Sequence, residues 1–95
     1  MRIISRSLLR KFSEIHPDAV SALDHWYRTM KSANVHSFVE LRAVFSSADM
    51  VGKYTVFNVG GNKYRLITHI HFNTQTLYIR HVLTHGEYMK HRWKE

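Results

Sequence analysis

The chain has 95 residues, which suits one domain spanning residues 1–95 and is too short for two. Without a cysteine it cannot form disulfides, thiolate metal sites or a cysteine nucleophile. Its formal charge of +7, with histidine counted as neutral, favours a polyanionic partner: RNA, DNA, an acidic protein or an anionic membrane.

Arg2 to Ser5 is short and β-branched, and can add a strand to a later sheet. Ser5 or Ser7 then caps a predicted helix with Leu8, Phe12 and Ile15 on its apolar side. Pro17 suits the first turn of a second helix, and Asp18 beside it favours the positive end of the dipole. Ala19, Leu23, Trp26, Met30 and Ala33 recur at helical spacing, so the two helices are predicted to form a hairpin covering one face of a sheet. Trp26 lies inside that stripe and reads as core rather than as a platform for a base. Ser37 and Glu40 match a capping box that opens a short helix ending near Phe45. The loop that follows ends at Lys53, a cation placed to reach a substrate. No apolar run is long enough for a signal segment or a membrane span, so a cytoplasmic protein is expected.

From Tyr54 the period changes to two. Tyr64, Leu66, Thr68, Ile70 and Phe72 share one parity, and Lys63, Arg65, Ile67, His69 and His71 the other. The second face is thus expected to be basic, with Ile67 its one aliphatic member on this strand. Gly60-Gly61 suits a two-residue hairpin pairing Phe57 with Tyr64 and adding Val56 and Asn58 to the basic face. An even-length loop at Asn73-Thr74, or over residues 73–76, keeps Leu77 and Ile79 with the core and places Tyr78 and Arg80 with Arg65 and His69. In the tighter register Arg80 is diagonal to Arg65, and two guanidinium groups at that spacing can share one phosphodiester. Thr84 and Glu87 match a second capping box, so a terminal helix begins at His85 with Tyr88 on the same side.

Several chemistries lack their motifs. There is no nucleophile elbow for a serine triad, and Gly60-Gly61-Asn62 lacks the ending of a phosphate loop. His69-x-His71 has no carboxylate on its strand, so no metal and no cofactor are expected. RNA cleavage needs less, because the substrate's own 2′-hydroxyl can attack. Arg65, Arg80 and Lys53 suit charge stabilisation, while His85 and Tyr88 suit proton transfer or stacking. A non-catalytic module binding RNA, the ribosome or an acidic protein through the same face is the alternative.

The run VFNVGGNKYRLI followed by YIRHVLTHGEY resembles the HigB family of toxin–antitoxin modules, within the RelE-like endoribonuclease fold. The resemblance covers nearly the whole chain. It implies an α+β fold: a small antiparallel sheet with an N-terminal helical hairpin on one face and a short C-terminal helix. It also implies a metal-independent mRNA interferase acting on message in the ribosomal A site, silenced by a HigA-like helix-turn-helix antitoxin, with no membrane partner. Asn58, Asn62 and Arg65 match one family pattern; Arg80, Thr84, His85 and Tyr88 match the other. Arg65, Arg80, His85 and Tyr88 are therefore the expected catalytic residues. Lys53, Asn58, Asn62, Lys63, His69 and Tyr78 are the expected RNA contacts. Met89 stands where the family usually has aspartate, so the general base is not assigned by the resemblance.

Overall fold

The computed structural model describes residues 1–94. A short strand β1 (Arg2–Ile4) leads into α1 (Ser7–Ile15), a 3-10 turn (Pro17–Ala19) and α2 (Val20–Ser32). Then come α3 (Phe38–Val44), β2 (Asp49–Val51), β3 (Tyr54–Val59), β4 (Tyr64–His71) and β5 (Thr76–Thr84). The chain finishes with α4 (His85–Met89) and a 3-10 turn (Arg92–Lys94). The five strands lie in the order β1-β5-β4-β3-β2. The expected meander is its centre. Because β1 runs parallel to β5, the sheet is mixed rather than purely antiparallel.

The helices cover one face, as the apolar stripes require. Ala19, Leu23, Trp26 and Met30 are buried with Phe57, Leu66, Leu77 and Ile79. Trp26 meets Phe57 edge to face at 5.4 Å, as a core residue. The α1 stripe is shifted by one position: Leu9 and Phe12 are buried, Leu8 partly so, and Ile15 is 75% exposed. Neither Ser5 nor Ser7 caps α1, since Ser5 takes a left-handed turn at φ 73° and Arg6 occupies the cap position without a side-chain bond. Ser37 does cap α3, but the Glu40 carboxylate accepts from the His36 N–H, one residue short of a closed box. Residues 49–51, expected as loop, form the edge strand β2, which turns at Gly52-Lys53 into β3.

Two turns decide which residues meet on the other face. Gly60 and Gly61 are both left-handed (φ 63° and 68°), as foreseen, but the loop is four residues long. Val59 pairs with Tyr64, Phe57 with Leu66 and Thr55 with Thr68. This slip of two from the expected register preserves parity, so Asn58 still faces with Arg65, its direct partner. The Thr68 hydroxyl donates to the Thr55 carbonyl at 2.8 Å, giving both buried threonines a reason for this pairing. At the next turn His71 pairs with Thr76 and Thr68 with Ile79, which is the tighter expected register. The ladder then breaks. Ile67 pairs with His81, so β5 spends Arg80 as an extra residue in a bulge.

Candidate active site

The second face is not the open basic surface that alternation alone implied. Val56 and Ile67 are buried beneath Trp93, and Leu83, Tyr54, Val51 and Tyr88 pack around them. After α4 the chain folds back across the sheet, and Trp93 Nε1 donates to the Tyr88 carbonyl at 3.0 Å. The Tyr88 and Trp93 rings stack at 5.2 Å with planes 13° apart. This small apolar roof divides the face into two polar regions.

At one end, Arg65 is only 8% exposed, contrary to the expectation of a solvent-facing cation. Its Nη1 donates to the carbonyls of Asn62 and Tyr64, each at 3.1 Å. Its Nη2 lies 3.2 Å from His85 Nδ1. A guanidinium has donors only, so Nδ1 must accept and the proton of this imidazole sits on Nε2. The same guanidinium lies 5.4 Å from the centre of the Tyr88 ring. Arg65, His85 and Tyr88 are thus one physical group.

The start of α4 places His85. Thr84 Oγ1 accepts from the Glu87 N–H at 3.2 Å, while Glu87 Oε1 accepts from the Thr84 N–H at 2.9 Å. The predicted capping box is complete, and it commits Glu87 to structure. The His85 N–H donates to the Lys63 carbonyl at 2.9 Å, which ties the helix to the β3–β4 loop. His85 remains exposed, and Tyr88 is half-buried.

Arg80 does not join this group. The bulge inserts it between Ile79 and His81, and Arg65 pairs with Leu83, so the diagonal clamp of two arginines does not form. Arg80 instead lies 5.9 Å from the Tyr78 ring, beside His69 and His71 at the other end of the face. Lys63 is also displaced: it precedes β4, and its ammonium reaches Asp18 in the helical layer at 3.5 Å. Asn58 is half-buried opposite Arg65; Asn62 contributes its carbonyl to that arginine. Lys53 is exposed at the β2–β3 turn, 5.4 Å from the Tyr54 ring. Trp93 and His81 were missed. A tryptophan isolated among basic residues was a usable sign of an anchor, whereas His81 was hidden by the bulge.

Among the described residues, no group of three or more histidine, aspartate or glutamate side chains could hold a metal ion. The ion pairs among them, Arg28–Asp24 and Lys63–Asp18, leave Arg65, Arg80 and Lys53 without a carboxylate partner. A concavity of about 620 Å³ opens between α1 and α2, lined by Leu9, Leu23 and Tyr27. It lies in the helical layer, away from Arg65 and His85, and brings no proton-moving pair together. Among the described residues, no helix is long and apolar enough to cross a membrane.

The model of HigB_toxin, the RelE-like toxic component of a toxin-antitoxin system, matches residues 19–91. This chain belongs to the HigB toxin family. It is 35% identical over 91 residues to the mRNA interferase toxin HigB of Escherichia coli K12, covering 93% of this chain and 88% of the relative. It is 31% identical over 93 residues to mRNA interferase HigB of Escherichia coli O6:H1, covering 95% and 90%. The mRNA interferase HigB of Shigella flexneri is similar at 35% over 91 residues, covering 93% and 88%. The matched residues contain the whole of the Arg65, His85 and Tyr88 group. As the toxic component of a HigB pair, the chain has an antitoxin for a partner.

Proposed function

We propose that this chain is a metal-independent endoribonuclease that cleaves mRNA in the ribosomal A site, in the cytoplasm, and is silenced by a HigA-like helix-turn-helix antitoxin. The observation that carries this reading is the contact between Arg65 Nη2 and His85 Nδ1. It leaves the His85 proton on Nε2 of an exposed residue, where a leaving oxygen can take it. The names of the relatives supply the substrate class.

In this reading the substrate's 2′-oxygen attacks the adjacent phosphorus, the bond to the 5′-oxygen breaks, and a cyclic phosphate remains. His85 gives its Nε2 proton to the departing 5′-oxygen as the 2′-hydroxyl proton, relayed through the Tyr88 hydroxyl, replaces it, so the imidazole begins and ends neutral. Arg65 fixes the imidazole through Nδ1 and adds positive charge beside the phosphorane. Tyr88, held flat on Trp93, offers a face to a base and a hydroxyl to the phosphate. Asn58 and Asn62, with Lys53, Lys63, His69 and Tyr78, supply the RNA contacts, and Lys63 reaches substrate only by leaving Asp18. No α4 carboxylate is free to take the 2′ proton, because Glu87 is held in the capping box and Met89 follows Tyr88. His85 and Tyr88 are the groups left to move protons.

The test is single-turnover cleavage on programmed ribosomes, with cut sites mapped by primer extension after brief induction. His85→Gln keeps a hydrogen-bonding side chain and loses proton transfer; Tyr88→Phe keeps the ring and loses the hydroxyl. Each is expected to slow cleavage at least ~10-fold, the weak end of general acid–base effects. Wild-type rates in both variants would move the chemistry off α4. Binding without any cleavage by the wild-type chain would leave a non-catalytic RNA module.

A further inference from the structure

Beyond the roof formed by Trp93, the same sheet face carries a second cluster. The His69 and His71 rings are 4.6 Å apart, and Tyr78 meets His71 edge to face at 5.6 Å. The Arg80 guanidinium lies 5.9 Å from the Tyr78 ring. His71, Tyr78 and Arg80 are exposed, Tyr78 to 36%. Burial lowers the pKa of His69, and the positive charges of His71, Arg80 and Lys53 lower it further. Arg80 and Lys53 thus bring positive charge to this cluster with no ion-paired carboxylate among the described residues, and flat rings stand next to it. The apolar side chain of Ile67, buried under Trp93, separates this cluster from Arg65.

We propose that Lys53, His69, His71, Tyr78 and Arg80 form a second subsite, which stacks a nucleobase and pairs its phosphate at a distance from the scissile one. The subsite rests on the reading of this chain as an RNA-acting protein. Arg65 and His69 are four positions apart on β4, about 13 Å at the usual strand rise. That is roughly the length of four stacked nucleotides, fewer if the strand is stretched. The bulge explains why Arg80 belongs here: as the added residue it stays beside Tyr78, while His81 takes the position opposite Ile67. Arg80 thus becomes a substrate-holding residue remote from the reacting atoms. An acidic protein segment could satisfy the charges, but would leave the exposed rings of His71 and Tyr78 without their natural partner, a planar base.

The test uses purified full-length chain and uniformly 2′-O-methylated single-stranded RNA, which lacks the attacking hydroxyl and is not consumed. Fluorescence anisotropy compares an octanucleotide with a dinucleotide. The double variant His71→Ala/Tyr78→Ala is expected to bind the octanucleotide about tenfold more weakly, as for loss of one stacked base. Its loss on the dinucleotide, which cannot span both sites and can sit at Arg65 and His85 alone, should be smaller. Arg80→Gln should lower the slope of log Kd against log salt by about 0.7 for the octanucleotide and by less for the dinucleotide, one phosphate contact on a single strand. Circular dichroism confirms that each variant is folded. Equal losses on both lengths, or no loss on either, overturn the subsite. So does unchanged RNA affinity with weakened binding of purified antitoxin, which would make this face a protein contact. Failure to cut message on programmed ribosomes, with the length-dependent difference intact, overturns the endoribonuclease and retains the subsite.

Discussion

Replacing Arg65 by alanine removes two hydrogen bonds to carbonyls and the one to His85 together. The Asn62 and Tyr64 carbonyls lose a charged donor, and leaving such groups unsatisfied costs about 1–3 kcal/mol each where water cannot replace it. The expected outcome is therefore twofold: a melting temperature lowered by several degrees, and cleavage reduced by ~10²–10³ at a temperature where the variant is folded. Arg65→Lys should recover part of the stability and little of the activity, because an ammonium cannot serve both carbonyls and Nδ1 with one planar fork. Thermal melts paired with single-turnover rates check this; an unaltered melt in Arg65→Ala would show that the arginine is not built into the fold. The type of residue was legible in the sequence, as were Thr84 and Glu87, whose interaction is contained within four residues. The burial of Arg65 was not, since the residues that close on it, His85 and Tyr88, lie 20 positions on and beyond.

At the scale of elements, α4 is only five residues long and no residue in it is fully buried. A helix so short has little intrinsic stability. Its place depends on the capping box, the His85 bond to Lys63, and Trp93 packed on Val56 and Ile67. Trp93→Ala should cost about 3 kcal/mol, at the low end for a buried tryptophan. It should also release Tyr88 from its stack, so activity falls even where the sheet remains folded. Trp93→Phe should restore most of both. Near-ultraviolet circular dichroism reports the stack, and full activity in Trp93→Ala would show that the roof has no part in aligning the site. Helices α2 and α3 and the central strands were readable because each writes its period locally. The bulge in β5 was not: nothing in the run YIRHVL interrupts alternation, and only the pairing of Ile67 with His81 reveals it.

Across the whole molecule, one polar contact joins the helical layer to the loop beside the site. The Tyr64 hydroxyl donates to the Asp18 carboxylate at 2.7 and 2.8 Å, and Lys63 approaches the same group. That hydrogen bond is the main reason the Asp18 pKa lies below the ordinary carboxylate range, with burial opposing it and Lys63 assisting. The Asp18 hydrogen bond is likewise the main reason the Tyr64 pKa is raised. A lowered carboxylate pKa stabilises the fold above its unfolded value, and that contribution is lost as pH falls through the folded one. A raised phenol pKa stabilises below its unfolded value, and is lost as pH climbs through the folded one. The melting temperatures of wild-type protein and Tyr64→Phe should therefore differ most between about pH 5 and 9, converging below about pH 4 and above about pH 10. A gap independent of pH would mean that Tyr64 acts by packing alone. The sequence suggested Asp18 as a helix-end charge; its partner was invisible because the two residues are 46 positions apart.

The bulge at Arg80 has a further meaning for how long this part of the chain can be. Between Gly60 and Thr84 the strand side chains other than Arg80 are assigned to a face by counting in twos on either side of the bulge, and both connecting loops contain four residues. Length here is consequently quantised. Two residues added to a loop return the strand to the same phase, whereas one residue exchanges the core face for the active face. The single odd residue the ladder accepts is already in use, and it is what delivers Val82 to the core beside Leu66 and Leu83 to the roof beside Trp93. Arg80 thus acts as a phase correction in β5: it resets the alternation just before the chain enters the turn that carries His85.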